Sequence, residues 1–313
     1  MKFVKGSGLT MQDVLEQGRK ILKKAKIEQS DPESELILSA AIRKPREFIY
    51  THPEYALSRS EKGNFANFIK RRAKRLPLAY IIGVKEFYGL AFFVNKNVLI
   101  PRPETEGLID LALKEINEIR QTGIDKIDII DIGTGSGAII LSLAKTILGS
   151  RIMNDIAFFA VDKSKKSLII AQENAKRLGV NEHIQFLHGN LIQPYLKSTQ
   201  RKRYKIQDAR YKIFLANLPY LTSKEMKNLQ PEVRYEPRQA LDGGKDGLDV
   251  YRSFFKQLAK LQNNPFAAIC EIAPGQKNEF LKIVKASLPQ SATEFIKDLS
   301  SRTRFAAIEN PPR

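Results

Sequence analysis

Two short segments of this chain contain the residue types that could carry out a reaction. One is the glycine-rich turn Asp131-Ile132-Gly133-Thr134-Gly135-Ser136-Gly137, and the other is the tetrapeptide Asn217-Leu218-Pro219-Tyr220. Glycines in such a turn let backbone N–H groups approach a nucleotide-like ligand closely. An Asn-x-Pro-Tyr sequence that follows a buried strand can hold a planar NH2 group. Together the segments predict group transfer from a nucleotide-like donor to an amide or exocyclic amine nitrogen.

The tetrapeptide has the groups needed to activate such a nitrogen. An amide nitrogen is a poor nucleophile because its lone pair is delocalised, and two acceptors on its two N–H bonds would orient that lone pair. The side-chain oxygen of Asn217 and the backbone carbonyl of Leu218 can be those acceptors. Pro219 biases Leu218 towards extended geometry, and Tyr220 can stack on the substrate plane. The same residues also suit an ordinary turn, so the preceding apolar run Ile213–Ala216 favours the chemical interpretation.

The glycine turn lies between a predicted strand, Ile127–Ile130, and a predicted helix, Ala138–Ala144. Asp131 could meet the ammonium end of a cofactor. Asp162 follows the predicted strand Ile156–Val161 and could accept both ribose hydroxyls. The turn also matches the looser dinucleotide pattern, so a nicotinamide enzyme is a competing interpretation. The amine clamp, and the lack of a His or Tyr-Lys pair suited to hydride transfer, favour S-adenosylmethionine as a methyl donor.

Longer runs carry a family resemblance. From roughly residue 10 to the C-terminus, the chain resembles the peptide chain release factor glutamine methyltransferases, the HemK/PrmC family. The matching runs include Pro77–Gly83, Glu86–Leu90, Val98–Glu106, Val233–Pro237 and Ala240–Leu248, with Glu271-Ile272 further on. The run Val98-Leu99-Ile100-Pro101-Arg102-Pro103-Glu104-Thr105-Glu106 is the most specific of these.

The resemblance implies a substrate and a set of binding residues. The acceptor would be the glutamine of the Gly-Gly-Gln loop in class I release factors, held by Asn217 to Tyr220. S-adenosylmethionine would lie across Gly133 to Gly137, which includes Thr134 and Ser136, and S-adenosylhomocysteine would be the product. Asp162 would bind its ribose, and Asn190 and Leu191 would lie near its adenine.

The chain departs from the family pattern at two positions. Leu218 stands where the family usually has a proline, which keeps the carbonyl but reduces rigidity. Asn190 stands where an acid is frequent, so we expect weaker cofactor selectivity there.

Composition limits the class of protein. A length of 313 residues with 42% hydrophobic residues suggests about two globular domains. The single cysteine, Cys270, excludes an internal disulfide, and we see no signal peptide or membrane span, so we expect a soluble cytoplasmic protein. The three histidines have no Cys or His at metal-ligand spacing, so no metal is expected.

The net charge of +18 should steer the protein towards an acidic protein surface or RNA. Its densest basic cluster lies in the segment 197–212, where Tyr204 and Tyr211 interleave with Lys and Arg. This basic segment is either a solvated loop or a nucleic-acid contact surface.

The pattern of elements predicts a small helical bundle, a β-hairpin connector and a doubly wound α/β domain. We expect a substrate-docking helical domain over residues 1–78, a hairpin linker over 79–100 and a Rossmann-like methyltransferase domain over 101–313. Thr10 is a predicted N-cap, Asp31-Pro32 opens a second helix, and a third begins near Ser58 or Ser60. From about Pro101 helices and strands alternate, as in a mostly parallel sheet whose ligands bind beyond the strands' carboxyl ends.

The sequence therefore predicts a monomeric enzyme that methylates a release-factor glutamine. A ribosomal-protein glutamine methyltransferase and an adenine-amino methyltransferase acting on RNA or DNA use related chemistry and remain alternatives. A non-catalytic RNA-binding or ribosome-binding protein on the same fold is a further alternative from a different class.

Overall fold

The computed structural model describes residues 10–149, 155–201 and 210–310. It divides into two compact units. The helical unit comprises the residues up to Val84 together with Gln230–Tyr235, and the α/β unit comprises Lys85–Leu229 and Glu236–Arg313. Among the described residues, no helix has the length and apolar character needed to cross a membrane.

The described part of the helical unit contains five α-helices. They are α1 (Met11–Lys24), α2 (Ser30–Ile42), α3 (Arg46–Thr51), α4 (Arg59–Ala73) and α5 (Leu78–Ile82). Capping boxes begin two of them, because Thr10 exchanges hydrogen bonds with Asp13 and Ser58 does the same with Glu61. The predicted N-cap at Thr10 is thus confirmed, and α4 begins directly after Ser58, as the predicted start near Ser58 or Ser60 required; α3 was not predicted.

A glycine lets two helices of this unit pack closely. A Cβ at Gly18 on α1 would lie 2.6 Å from the Phe65 Cζ on α4, so any larger residue would force the helices apart. The helical unit also includes Gln230–Tyr235, because buried Arg72 pairs with both Glu33 and Glu232. From the sequence alone, those six residues were assigned to the methyltransferase domain. The ion pair between Arg72 and Glu232 joins residues far apart along the chain, so no local sequence pattern indicates it.

The hairpin is shorter than the segment 79–100. Helix α5 extends through Ile82, and the hairpin consists of β1 (Val84–Phe87) and β2 (Leu90–Phe93). Tyr88 and Gly89 join them at φ 51° and 69°, the pattern of a type I′ turn. The Tyr88 conformation is held because its N–H donates to the Glu106 carboxylate and its hydroxyl to Asp110, both at 2.8 Å.

The α/β unit alternates helices and strands after the hairpin. Its longer elements are α6 (Gly107–Gln121), β3 (Ile127–Ile132), α7 (Ala138–Leu148), β4 (Ile156–Asp162), α8 (Lys165–Leu178), β5 (Ile184–His188), α9 (Gln193–Arg201), β6 (Tyr211–Ala216), α10 (Asp249–Leu258), β7 (Phe266–Glu271), α11 (Lys277–Ser287), β8 (Ala292–Lys297) and β9 (Thr303–Asn310). The strand order is β5-β4-β3-β6-β7-β9-β8; β9 runs antiparallel to both β7 and β8, and the other pairings are parallel.

Helices cover both faces of this sheet. Ile127 and Ile129 of β3 pack in a core with α6, α7 and α8, whereas Ile130 and Ile132 pack in a second core with α9, α10 and α11. Adjacent residues of a strand point to opposite faces, so this division confirms the doubly wound, mostly parallel fold. The chain order reverses between β3 and β6, where Ile132 pairs with Ala216. Gly133 and Asn217 directly follow that pair.

Candidate active site

A cleft opens at the carboxyl ends of β3, β4 and β6, as the strand order requires. Its volume, including the open mouth, is about 720 Å³. The predicted site residues that line it are Gly133, Gly135, Asp162, Asn190, Leu191, Asn217, Leu218 and Pro219. Those that do not line it are Asp131, Thr134, Ser136, Gly137 and Tyr220. Asn97, Val98 and Leu99, from one of the family-like runs, form part of the wall.

Asp131 is a buried carboxyl group with one unsatisfied oxygen. The Thr134 hydroxyl donates to Oδ2 at 2.7 Å, whereas Oδ1 has no hydrogen-bond partner in the described part of the chain. Burial, together with the neighbouring charge of Asp162, raises the pKa of Asp131 to about 7, although the Thr134 hydrogen bond acts in the opposite direction. An unpaired buried carboxylate is costly, so a cation brought to this position would be stabilised strongly. This unsatisfied oxygen fits the ammonium end of a nucleotide-like amino acid.

Asp162 stands at the end of β4 and contacts the glycine turn directly. Its Oδ2 accepts from Gly135 N at 2.9 Å and its Oδ1 accepts from Ser164 N at 2.7 Å. Burial raises its pKa, although those two backbone donors act in the opposite direction. Each carboxylate oxygen keeps a lone pair, so the group can still accept a ribose hydroxyl from the cleft.

The glycine turn needs its glycines for two physical reasons. Gly133 and Gly137 have φ of 75° and 83°, a region that other residues adopt with strain. A Cβ at Gly137 would also lie 2.7 Å from the Leu141 side chain. Thr134 and Ser136 are buried beneath the turn and support it, while Gly133 and Gly135 present bare backbone to the cleft.

Asn190 and Leu191 follow β5 and occupy another wall of the cleft. Leu191 is buried at a φ of 53°, an uncommon conformation for a branched residue, and Asn190 is exposed. Strained backbone of this kind tends to occur at ligand sites. The structure therefore brings the residues expected near adenine to the same cleft as Asp162.

The side-chain amide nitrogen of Asn217 already has a hydrogen-bond partner. Its Nδ2 donates to Thr105 Oγ1 at 3.0 Å. In the described residues no hydrogen bond uses the Asn217 Oδ1 or the Leu218 carbonyl oxygen. Both oxygens that were predicted to accept from a substrate NH2 group thus remain available.

The Leu218 side chain packs against the glycine turn, and a proline at this position would make different contacts. It is buried and would lie 3.4 Å from a Cβ at Gly133, so it packs on the glycine turn. Its backbone N–H donates to the Tyr251 hydroxyl at 3.4 Å. That hydroxyl donates its one hydrogen to the Glu271 backbone carbonyl, and the Ala216 carbonyl oxygen lies 3.3 Å from it. These contacts restrain the backbone at Leu218. The family usually has a proline at this position, whose ring restrains the backbone instead.

The loop Asp242–Gly247 supports the tetrapeptide from behind. A Cβ added at Gly243 would lie 2.7 Å from the Pro219 carbonyl oxygen. A Cβ added at Gly247 would lie 2.2 Å from the Tyr220 carbonyl oxygen. The Gln276 Nε2 also donates to the Tyr220 carbonyl at 3.1 Å. Glycines at both positions therefore allow the loop to contact the tetrapeptide backbone.

A buried ion pair joins two of the family-like runs. The Glu236 side chain supplies the negative charge of this pair. Its carboxylate accepts from Arg102 Nη2 at 2.6 Å and from Ile100 N at 3.1 Å. Both partners belong to the Val98–Glu106 run, whereas Glu236 belongs to the Val233–Pro237 run. The two runs are therefore in contact, which the sequence of neither run indicates by itself. The pair lies beside Pro237, which lines the cleft.

The basic segment 197–212 contributes structural contacts where it is described. Arg210 pairs with buried Asp128, and the buried Tyr211 hydroxyl donates to Glu115 at 2.9 Å. Residues 202–209 lie outside the described residues. Cys270 is buried, and among the described residues no cluster of three or more His, Cys, Asp or Glu could hold a metal.

Comparison with known protein families gives two matches. Residues 13–83 match the PrmC N-terminal domain, and residues 125–260 match a methyltransferase domain. The first match covers most of the described helical unit, and the second covers the glycine turn, Asp162 and the tetrapeptide.

Comparison with individual proteins covers nearly the whole chain. The release factor glutamine methyltransferase of Bacillus cereus is 33% identical, over 88% of this chain and 91% of its own. That of Dictyoglomus turgidum is 36% identical, over 90% of this chain and 94% of its own. The structure of the hMettl16 catalytic domain in complex with MAT2A 3′UTR hairpin 1 is 14% identical with a TM-score of 0.51, over 78% of this chain and 80% of that one. At that identity it shows the shared fold alone.

Proposed function

This chain belongs to the release factor glutamine methyltransferase family, and we propose that it methylates the side-chain amide nitrogen of the Gly-Gly-Gln glutamine in class I release factors. S-adenosylmethionine is the methyl donor. The observation that carries the proposal is the pair of unoccupied oxygens at Asn217 and Leu218, in the cleft that the glycine turn and Asp162 also line.

The donor would be held by groups from three strands. Gly133 and Gly135 would place bare backbone against the donor, the Asp131 carboxylate would accept the ammonium, and Asp162 would accept the ribose hydroxyls. Asn190 and Leu191 would contact the adenine from the wall after β5. When bound, the sulfonium supplies an electrophilic methyl group. The departure at Asn190 leaves an exposed amide there, so adenine selectivity should rest more on shape than on charge.

The chain's contribution to the transfer is orientation and charge stabilisation. The Asn217 Oδ1 and the Leu218 carbonyl accept one N–H bond each from the glutamine amide, and so hold its lone pair towards the donor. Both oxygens also stabilise positive charge that develops on the nitrogen. The alkylated nitrogen is acidic and releases a proton to solvent, so no general base is required.

The Tyr220 ring lies behind the clamp. Its hydroxyl donates to Glu271 at 3.5 Å, and burial together with the Glu271 charge raises the pKa of Tyr220 to about 12. Tyr220 therefore stays a neutral phenol at physiological pH; since it does not line the cleft, stacking of its ring on the amide plane stays a prediction.

A competition assay would test this function. Labelled S-adenosylmethionine is offered with purified release factor, a ribosomal protein and adenine-containing RNA in parallel, and peptide mass mapping locates the label. We expect one methyl group on the Gly-Gly-Gln glutamine. Label confined to RNA or to the ribosomal protein would overturn the proposal and support the corresponding alternative. A protein without affinity for the donor in calorimetry would instead be a pure binding protein.

The partner and location follow from this substrate. Release factors act with ribosomes, so we place the protein in the cytoplasm. We expect it to act as a monomer that binds a release factor with its helical unit. The basic segment 197–212 is either a solvated loop or a contact surface for RNA or an acidic protein.

A further inference from the structure

A directed series of hydrogen bonds runs behind the Asn217 side chain. Asn217 Nδ2 donates to Thr105 Oγ1 at 3.0 Å, and that hydroxyl donates to Glu271 Oε2 at 2.7 Å. Thr105 lies in the short turn before α6, and Glu271 ends β7, so three separate parts of the α/β unit meet here. Thr105 is 4% exposed and Glu271 is 1% exposed. None of these bonds was expected from the sequence.

The direction of this series is fixed by the chemistry of its members. A hydroxyl has one hydrogen, and an ionised carboxylate can only accept. Thr105 gives its hydrogen to Glu271, so its oxygen can only accept from Asn217. The Asn217 amide must then turn its NH2 group towards Thr105 and leave Oδ1 for the acceptor substrate. With the amide flipped, an NH2 group would face the substrate NH2 group and no bond could form.

Glu271 also contacts the other side chain of the clamp. Its Oε1 accepts from the Tyr220 hydroxyl at 3.5 Å, so one buried carboxylate serves both Asn217 and Tyr220. Burial raises the pKa of Glu271, and nearby Glu104 raises it further, whereas the Thr105 bond, Arg304 and the Tyr220 bond lower it. Burial outweighs these groups and the pKa of Glu271 is raised overall, so the series rests on geometry. Oε2 accepts the Thr105 hydrogen in the carboxylate, and also in the acid when its proton is on Oε1.

We propose that Thr105 and Glu271 are positioning residues that fix the Asn217 amide in one orientation and thereby select an amide acceptor over a carboxylic acid. This inference rests on the proposed function. A glutamine offers two N–H bonds to the two clamp oxygens, whereas a glutamate side chain offers oxygens that those clamp oxygens repel. Without the Thr105 hydroxyl, Asn217 is free to flip, and a glutamate is then tolerated better.

The test compares Thr105→Val with Thr105→Ser. Valine keeps the shape but removes the hydroxyl, and serine keeps the hydroxyl as the matched control. For each variant we would measure kcat and KM on release factor, and the binding of release factor with its acceptor glutamine changed to glutamate. We expect Thr105→Val to lower kcat by about tenfold or more and to reduce the preference for glutamine over glutamate by about tenfold, as for one well-oriented hydrogen bond. Thr105→Ser should stay within about threefold of the unaltered enzyme in both.

The outcomes separate this inference from the proposed function. If the unaltered enzyme transfers no methyl group to release factor, the proposed function fails. If it does, and Thr105→Val keeps both kcat and the glutamine preference, the positioning role is overturned. A fall in kcat without a change in preference would also overturn it, because a merely structural defect gives that result. Should Thr105→Val not fold, Glu271→Gln is the second variant. Its amide can donate to Thr105 and reverse the series, so it should lower kcat and preference alike, and unchanged kinetics would count against the proposal.

Discussion

The affinity for the cofactor should depend on pH through Asp131. Burial raises the pKa of this carboxyl to about 7, and its Oδ1 lacks a partner within the described chain. A bound ammonium would stabilise the ionised form and lower that pKa. Binding must therefore become tighter as pH rises through 7, and it must release protons.

The size of the effect follows from the raised pKa. With a pKa of about 7, the ionised fraction of Asp131 rises from about a tenth at pH 6 to about three quarters at pH 7.5. If only the ionised form pairs with the ammonium, the association constant should increase about eightfold over this range, or roughly 1.2 kcal/mol. At pH 7 about half a proton should be released for each cofactor bound.

Isothermal calorimetry with S-adenosylhomocysteine would measure this, because the product carries the same amino acid end and no transfer occurs. Titrations in two buffers of different ionisation enthalpy would count the protons released. Asp131→Asn is the matched variant, since it keeps the shape and an acceptor for Thr134, and we expect weaker binding with a flatter pH profile. Asp162 also has a burial-raised pKa and is present in both proteins, so any pH dependence that remains in Asp131→Asn belongs to groups other than Asp131. Binding that is independent of pH, or an equal pH profile in the variant, would refute the ammonium assignment.

Three further substitutions test other parts of the site. Asn217→Ala should lower kcat by about 100-fold or more while cofactor binding persists, because one clamp oxygen is lost; steady-state kinetics with unchanged turnover would exclude the clamp. Glu236→Gln removes the charge that its partner arginine contacts, and should lower the free energy of unfolding by about 1.5–3 kcal/mol in denaturant titrations. Gly247→Ala should lower kcat because the added Cβ would displace the Tyr220 carbonyl. Gly179→Ala is the control, since Gly179 has a similar φ but open space around it, and this variant should retain kcat. Equal kinetics in the two variants would contradict the supporting role of the loop.

Much of the fold could be predicted because its signals are local. The apolar runs Ile127–Ile130 and Ile213–Ala216 predicted central strands, and capping residues such as Thr10 predicted where helices begin. Alternation of helices and strands then indicated a doubly wound sheet. The short helix α3 was missed because its six residues give too little periodicity to recognise.

The supporting contacts of the site could not be predicted in the same way. The Glu236 pair with Arg102 and the Thr105 bond to Glu271 join residues that are far apart along the chain. Their residue types were visible within family-like runs, but local spacing does not indicate which of them meet. The roles of Gly243 and Gly247 could not be predicted either, since only the folded chain brings the tetrapeptide backbone against them.

The most direct test of the account is a structure of the enzyme with S-adenosylhomocysteine and a release factor. The account predicts the glutamine amide nitrogen within about 3.2 Å of both the Asn217 Oδ1 and the Leu218 carbonyl oxygen, with the Asn217 Nδ2 still on Thr105. A glutamine nitrogen more than about 4 Å from either oxygen, or an Asn217 amide turned with its NH2 group towards the glutamine, would contradict it.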